Sequence, residues 1–495
     1  MDIELTGHDH RYAVEQLLLT LYPEERPVYP GRPAGDSSVR ISLRRGGKYA
    51  VAVCVLRREG GTARAQARYS LSGAATAREH VRLEQRIVKT AFYRAALALG
   101  HEKPVWGCLT GVRPAKFMAG LVERDGMTPA QAQRALRREF DVDADRAALC
   151  AQAYAAAEAV RASLAERDVC LYIGIPYCPT RCAYCSFVSV DAPKLLRTIP
   201  DYLTALEREM DAAAEAIRES GRRIIAVYMG GGTPTTLSAE QLDRLLGRVR
   251  ETFDLGACRE FTVEAGRPDT VTAEKLAVLV RRGVDRVSVN PQTMSDAVLE
   301  TIGRRHSVLQ VYEAVAMVKA AGALSLNMDL IAGLPGDTPE SFAATLDAVL
   351  SLSPENITVH TLALKKGSRF LTEGTALPDG RAVGAMLSQA EKKLTEAGYG
   401  PYYLYRQKFM SGSFENVGWT RPGGENIYNI CIMEELCGIL ALGAGGSTKL
   451  IAPGGVVKRL MAPKYPREYM EQISSVCEDK KSIPGFYAGQ MKGET

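Results

Sequence analysis

In the stretch "YIGIPYCPTRCAYCSF", Cys178, Cys182 and Cys185 stand in a C-x3-C-x2-C spacing. On a loop, side chains four and three positions apart can turn inward onto one metal centre. A structural zinc takes four ligands, yet the residues that follow are Ser186 and Phe187, and the nearest histidines in sequence are His101 and His306. An iron–sulfur cluster also usually takes four protein thiolates. A cluster on three leaves one iron open to bind another molecule; zinc with a remote fourth ligand is the alternative reading.

Further along, "YMGGGTPT" puts Gly230, Gly231 and Gly232 at the end of a β-like run. Without Cβ atoms their backbone can approach a ligand closely, although tight strand-to-helix turns use glycine as well. Glu264 in "FTVEAGRPD", Gln292 in "VSVNPQT" and Asp329 in "NMDLIAGLPGDT" follow three further runs. Each alone reads as a helix cap or a solvated loop residue. Polar groups at successive strand ends are also what a ligand lying across a barrel mouth needs.

The elements that must position these residues are legible from Val169 onward. "VCLYIGI", "RIIAVYM", "EFTVEA", "RVSVN", "LSLNMDLI" and "NITVHTL" alternate with amphipathic segments near 200–219, 239–253, 273–282, 307–321 and 339–351. Strands alternating with helices predict a parallel sheet of βα units, whose chemistry lies in the loops after the strands. Before this core, residues 38–58 read as a hairpin around a Gly-Gly turn and Glu79–Leu99 as a long helix. Alanine-rich helices fill 128–165. From about 376 one more amphipathic helix precedes a Tyr-, Gly- and Pro-rich stretch in which no order is read.

Length and composition, 495 residues with 46% hydrophobic and 24% charged, describe a globular chain of two or three domains. The first residues lack the basic flank, apolar stretch and cleavage site of a secretory signal, and no apolar run approaches a membrane span. Eleven cysteines, mostly isolated, do not make a secreted disulfide framework. A cytoplasmic protein is expected. Thirteen Lys or Arg against three Glu between Arg40 and Arg94 point either to an anionic partner or to arginines solvating a hairpin and a helix.

"YIGIPYC", "GGGTP", "VEAGRPD", "IGRRH" and "DLIAGLPGDT" occur in the order and approximate spacing of the radical S-adenosylmethionine (SAM) enzymes of the oxygen-independent coproporphyrinogen III oxidase group, and the chain resembles that group over roughly residues 169–450. The resemblance implies an α/β fold: a partial (β/α)6 radical SAM barrel with a small mixed α+β N-terminal domain and a C-terminal extension. The implied divisions are an accessory domain at 1–165, the core at 166–375 and a substrate-covering region at 376–495. It implies a 4Fe-4S cluster on Cys178, Cys182 and Cys185 whose open iron chelates SAM. Tyr172 would lie near the cluster end of SAM. Gly230, Gly231, Gly232 and Thr233 would clamp its methionine, and Glu264, Gln292, Arg304 and Asp329 would contact its methionine, ribose or adenine parts, with Arg305 the alternative register for Arg304.

Phe187 stands where the classical oxidase has a further cysteine, and Glu415 in "SFENVGW" replaces the histidine of the haem-trafficking branch. "LTGVRPAK" and "YYLYRQKFMSGSFENVGW" are similar to the HemZ-type coproporphyrinogen dehydrogenases. That branch implies a tetrapyrrole tetracarboxylate substrate, for which Arg113, Arg406 and Lys408 are the cationic candidates. It also implies a flavodoxin- or ferredoxin-type electron donor. The competing expectations are a haem carrier of the same group and a tRNA-modifying radical enzyme. Against nucleic acid, the basic segment has few interleaved aromatic residues for base stacking.

Overall fold

The Gly-Gly turn joins two strands in the computed structural model of the chain, which describes every residue except 30–35, 72–75, 186–189, 192–195, 364–367, 408–410 and 490–495. The chain divides into two compact units, Met1–Ala151 with Arg406–Phe414, and Gln152–Tyr405 with Glu415–Thr495. In the first, β1 (Asp2–Thr6), β2 (Ser38–Arg45), β3 (Tyr49–Arg58) and β4 (Gly61–Ser70) form a sheet in that order. The period of two in β2 and β3 sends Val39, Ile41 and Leu43, and Ala50, Ala52, Cys54 and Leu56, into the core. The helix Ala77–Ala98 starts at a capping box formed by Thr76 and Glu79 and buries Ile87, Val88, Ala91 and Phe92.

Part of the basic segment is paired with carboxylates, most of them from outside it. Arg40 pairs with Glu4, Arg58 with Glu24 and Glu25, Arg82 with Asp125 and Arg86 with Glu139. Arg45 makes a two-pronged contact with Glu84 at 2.6 and 2.7 Å. Five of the thirteen cations thus pair with carboxylates of the small unit, as the solvated-face reading expects.

The second unit carries β5 (Asp168–Ile175), the short ribbon of β6 (Tyr177–Cys178) and β7 (Val190–Asp191), and then β8 (Arg223–Gly231), β9 (Glu260–Glu264), β10 (Arg286–Ser288), β11 (Ser325–Ala332) and β12 (Asn356–Thr361). β5 and β8–β12 pair in parallel, each with the next in sequence, and helices occupy the connections. This is the expected α/β partial barrel, following a small mixed domain in sequence. The region after 376 is more ordered than its composition indicates. β13 (Gly400–Arg406) and β14 (Glu415–Thr420) extend one edge beside β12, while β15 (Gly438–Leu442), β16 (Ser447–Ala452) and β17 (Val456–Met461) extend the other beside β5. β15 runs parallel to β5, and short helices close the chain. No helix among the described residues is long and apolar enough to cross a membrane.

Register and alternation stack the inward side chains in layers. Cys170, Ala226 and Glu260 share the lowest row; Tyr172, Tyr228, Thr262 and Arg286 form the next; Gly174 and Gly230, and Glu264 with Ser288 and Asn327, lie above, and Asp329 stands opposite Thr358 further up. The lower end is plugged by the helix Ile427–Glu434. Its first backbone N–H groups, on Ile427 and Tyr428, donate to the buried Glu260 carboxylate at 2.9 and 3.0 Å, and Asn426 donates to Thr262 Oγ1. Orphan donors at a buried helix start must be satisfied. Glu260→Ala is therefore expected to destabilise the protein by about 2–4 kcal/mol, read as a lowered urea midpoint.

Candidate active site

All the strand-end residues come from the second unit, at the upper rim of the barrel. The cysteine loop leaves β5 at Ile175 and is held at Ala183 from both sides: its N–H donates to Ile302 O at 3.0 Å, and its carbonyl accepts from Arg369 N and Ser368 Oγ. Cys178 Sγ lies 3.5 Å from Thr233 Oγ1, at the end of the glycine triplet. Cys182 is buried, 3.8 Å from Arg267 Nη1. Cys185 N donates to Cys182 O. Phe187 lies outside the described residues.

The glycines meet their neighbours closely. A Cβ on Gly230 would stand 2.9 Å from Glu264 Cδ, one on Gly231 3.3 Å from Tyr172 Oη, and one on Gly232 2.5 Å from Tyr177 O. Gly231 also has φ 109, a conformation that suits glycine. Glu264 closes β9 and accepts from Tyr228 Oη at 2.6 Å. Burial pushes its carboxyl up to about 7, with the nearby Asp329 charge adding to the rise against the Tyr228 hydrogen bond. Asp329 sits inside β11, three residues before its end. Burial would raise its carboxyl too, but His360, 3.8 Å away, with Asn327, which donates at 2.9 Å, and the nearby Thr358 prevail and hold it below the ordinary carboxylate range. The two carboxyls are thus pushed apart.

Gln292 lies beyond β10, where its backbone bridges to β11 through Asp329 O and Ile331 N. Its φ of 70 is in the left-handed region, and its buried Oε1 has no partner among the described residues. Arg304 is buried and donates to Asn290 O at 2.6 Å, Gly266 O at 3.2 Å and Tyr184 Oη at 3.1 Å, which leaves its Nε unpartnered among the described residues. Arg305 beside it is exposed. Below the rim, the rings of Tyr172, Tyr228 and Tyr428 stack, with centroids 4.5–6.4 Å apart.

The other candidates lie elsewhere. Arg113 precedes the helix Pro114–Glu123 in the first unit. Arg406, also in that unit, spends its guanidinium on Leu109 O and Ser413 O. Lys408 is outside the described residues. Arg267 in "VEAGRPD", just past the C-terminal end of β9, was not read from sequence, because an arginine in a loop carries no signal until its burial beside Cys182 is seen. Tyr428 was missed because nothing local ties it to the barrel.

No cofactor accompanies the chain, so fit rests on its own residues. Two orphaned buried polar atoms, Gln292 Oε1 and Arg304 Nε, each carry a cost of about 1–3 kcal/mol unless a ligand meets them. They fit a small polar ligand such as SAM. The loop cysteines are not within 4.8 Å of one another as a set, and thiolates on separate corners of a cubane stand wider than thiolates on one ion.

The Radical SAM superfamily model matches residues 172–349. The oxygen-independent coproporphyrinogen-III oxidase-like protein HemZ of Bacillus subtilis is 38% identical over 381 residues, 76% of each chain. The heme chaperone HemW of Haemophilus influenzae is 30% identical over 316 residues, 63% of this chain and 78% of that protein. The structure of coproporphyrinogen III oxidase (HemN) from Escherichia coli is similar in fold, with a TM-score of 0.52 at 24% identity, covering 64% of this chain and 71% of that one. With the strand-end site set on a parallel βα barrel, these likenesses place the chain in the radical SAM superfamily: it belongs to the family of oxygen-independent coproporphyrinogen-III oxidase-like proteins and is an enzyme of the radical SAM oxidoreductase type.

Proposed function

We propose that this enzyme oxidatively decarboxylates two propionates of coproporphyrinogen III to the vinyl groups of protoporphyrinogen IX in the cytoplasm, as a HemZ-type coproporphyrinogen dehydrogenase. The observation that carries the reading is the ring of Gly230, Glu264, Gln292 and Asp329 around one barrel mouth beside the three-cysteine loop. Cys178, Cys182 and Cys185 hold a 4Fe-4S cluster, and Tyr172, Gly230, Gly231, Gly232, Thr233, Glu264, Gln292, Arg304 and Asp329 hold SAM. When bound, the cluster and SAM supply a 5′-deoxyadenosyl radical able to take a hydrogen atom from a propionate side chain.

The chain's own part is positioning and exclusion of water. Glu264, ionised, binds an ammonium, and Arg304 Nε offers a donor to a carboxylate. The stacked tyrosines seal the barrel beneath. Residues 166–375 carry the chemistry, 1–165 are accessory, and 376–495 cover the substrate, whose carboxylates call for cations. Arg113, Arg406 and Lys408 are the candidates. A flavodoxin or ferredoxin delivers the electron. Glu415, buried at the start of β14, removes the histidine that the haem-carrying reading would use.

The test is anaerobic reconstitution with iron and sulfide, then SAM, a low-potential reductant, coproporphyrinogen III and an electron acceptor. 5′-Deoxyadenosine and a vinyl-bearing porphyrinogen are expected together; tight haem binding with no vinyl product would replace this reading with the carrier one. In the same assay Gly230→Ala is expected to weaken SAM binding by about 10-fold or more, since the methyl group must displace the Glu264 carboxylate.

A further inference from the structure

Cys170 lies in a second group of three cysteines. Its Sγ and those of Cys431 and Cys437 are all within 4.8 Å of one another, the one such set of three metal-binding side chains among the described residues. The three come from separate elements: the lowest inward layer of β5, the plug helix Ile427–Glu434, and the residue before β15. Cys170 and Cys431 are wholly buried and Cys437 is 7% exposed, amid Ile225, Tyr428, Ile430 and Ile439.

We propose that Cys170, Cys431 and Cys437 form a mononuclear site for one soft d10 cation, separate from the cysteine loop. The first argument is distance. Sulfurs bound to a single ion at about 2.3 Å lie about 3.8–4.0 Å apart in tetrahedral or trigonal geometry, and Cys170 Sγ and Cys437 Sγ stand 3.7 Å apart. An iron–sulfur cubane, with its irons on separate corners, needs them wider. The second argument is ligand type. Three thiolates with no imidazole or carboxylate in the set select thiophilic ions such as Cu(I) or Zn(II) over Mg(II) or Ca(II). Three-coordination suits Cu(I), and Zn(II) takes a water as fourth ligand from the Cys437 side. An ion here ties β5, the plug helix and β15 together and takes no part in the rim chemistry.

The test uses the full chain with Cys178, Cys182 and Cys185 all changed to Ala, so that the loop cannot compete. It is titrated anaerobically with Zn(II) in one arm and Cu(I) in another, each against a chromophoric chelator. One ion per chain is expected in at least one arm, falling to none when Cys437→Ala is added. X-ray absorption on the chain that keeps Cys437 should show three sulfurs at about 2.3 Å, a readout that holds even if the Cys437 variant fails to fold. Retention of neither ion, retention undiminished by Cys437→Ala, or a disulfide among the three in the anaerobically prepared protein overturns the proposal.

Discussion

Replacing Cys182 with alanine is expected to abolish the iron–sulfur absorption of the reconstituted protein and reduce SAM cleavage to background. The three loop thiols are the minimum for a cluster that keeps one iron open, and no described neighbour can stand in for the middle one. Ala183 is fixed by hydrogen bonds to Ile302, Ser368 and Arg369, so the loop cannot slide another donor into place. Arg267 and Arg304 face Cys182, and neither can ligate. Cys178→Ala and Cys185→Ala should behave alike. Replacing Cys54, Cys108 or Cys258 should leave the spectrum intact. Burial pushes the Cys54 thiol up to about 12 and raises those of Cys108 and Cys258, which keeps them protonated and poor ligands. Electronic absorption and iron content after anaerobic reconstitution decide the matter; a full spectrum in the Cys182 variant would remove the cluster from this loop.

The second large effect centres on Glu264. Changing it to Gln or Ala is expected to weaken SAM binding by about 10- to 100-fold, the worth of a hydrogen bond to a charged group, with the cluster absorption unchanged. In the unaltered protein SAM affinity should rise with pH through about 7, where this carboxyl ionises, and the rise should vanish in Glu264→Gln. Stability of the protein without SAM should run the other way. Because the folded state holds a proton that the unfolded chain releases near 4.5, the contribution is fully present below that value and is lost as pH climbs through 7. Calorimetric titration with SAM and urea midpoints across pH 4.5–8 would read both trends. A flat affinity profile would show that Glu264 does not meet the ligand.

The parallel core was legible because its strands are buried on both faces and read as β-branched runs, such as "RIIAVYM" for β8, separated by helices with strong periodicity. The candidate rim followed from it, since chemistry on such sheets gathers after the strands. What escaped is equally physical. β4, "GTARAQARYS", alternates small with charged residues and has no hydrophobic signature, its partner β3 supplying the burial. β13–β17 are short strands added at the two sides of the barrel sheet, in a stretch rich in glycine and tyrosine, and are ordered by neighbours distant in sequence. The grouping of Cys170 with Cys431 and Cys437 joins positions 267 apart, a proximity that no local spacing records. Arg304 was offered by the resemblance as a candidate cation, but its hydrogen bonds to three oxygen atoms from Gly266, Asn290 and Tyr184 were not legible.

The parallel pairing of β15 with β5 also sets a timetable for synthesis. β5 emerges from the ribosome early in the barrel, yet one of its two hydrogen-bonding edges stays open until Gly438–Leu442 follows. At translation speeds of about 5–20 residues per second, that interval is roughly 10–50 s. During it an apolar strand, "DVCLYIGI", offers an unpaired edge to any neighbouring nascent chain. Interrupting translation before Gly438 should therefore yield polypeptide that associates with chaperones or aggregates, even though every strand from β5 to β12 has already been made.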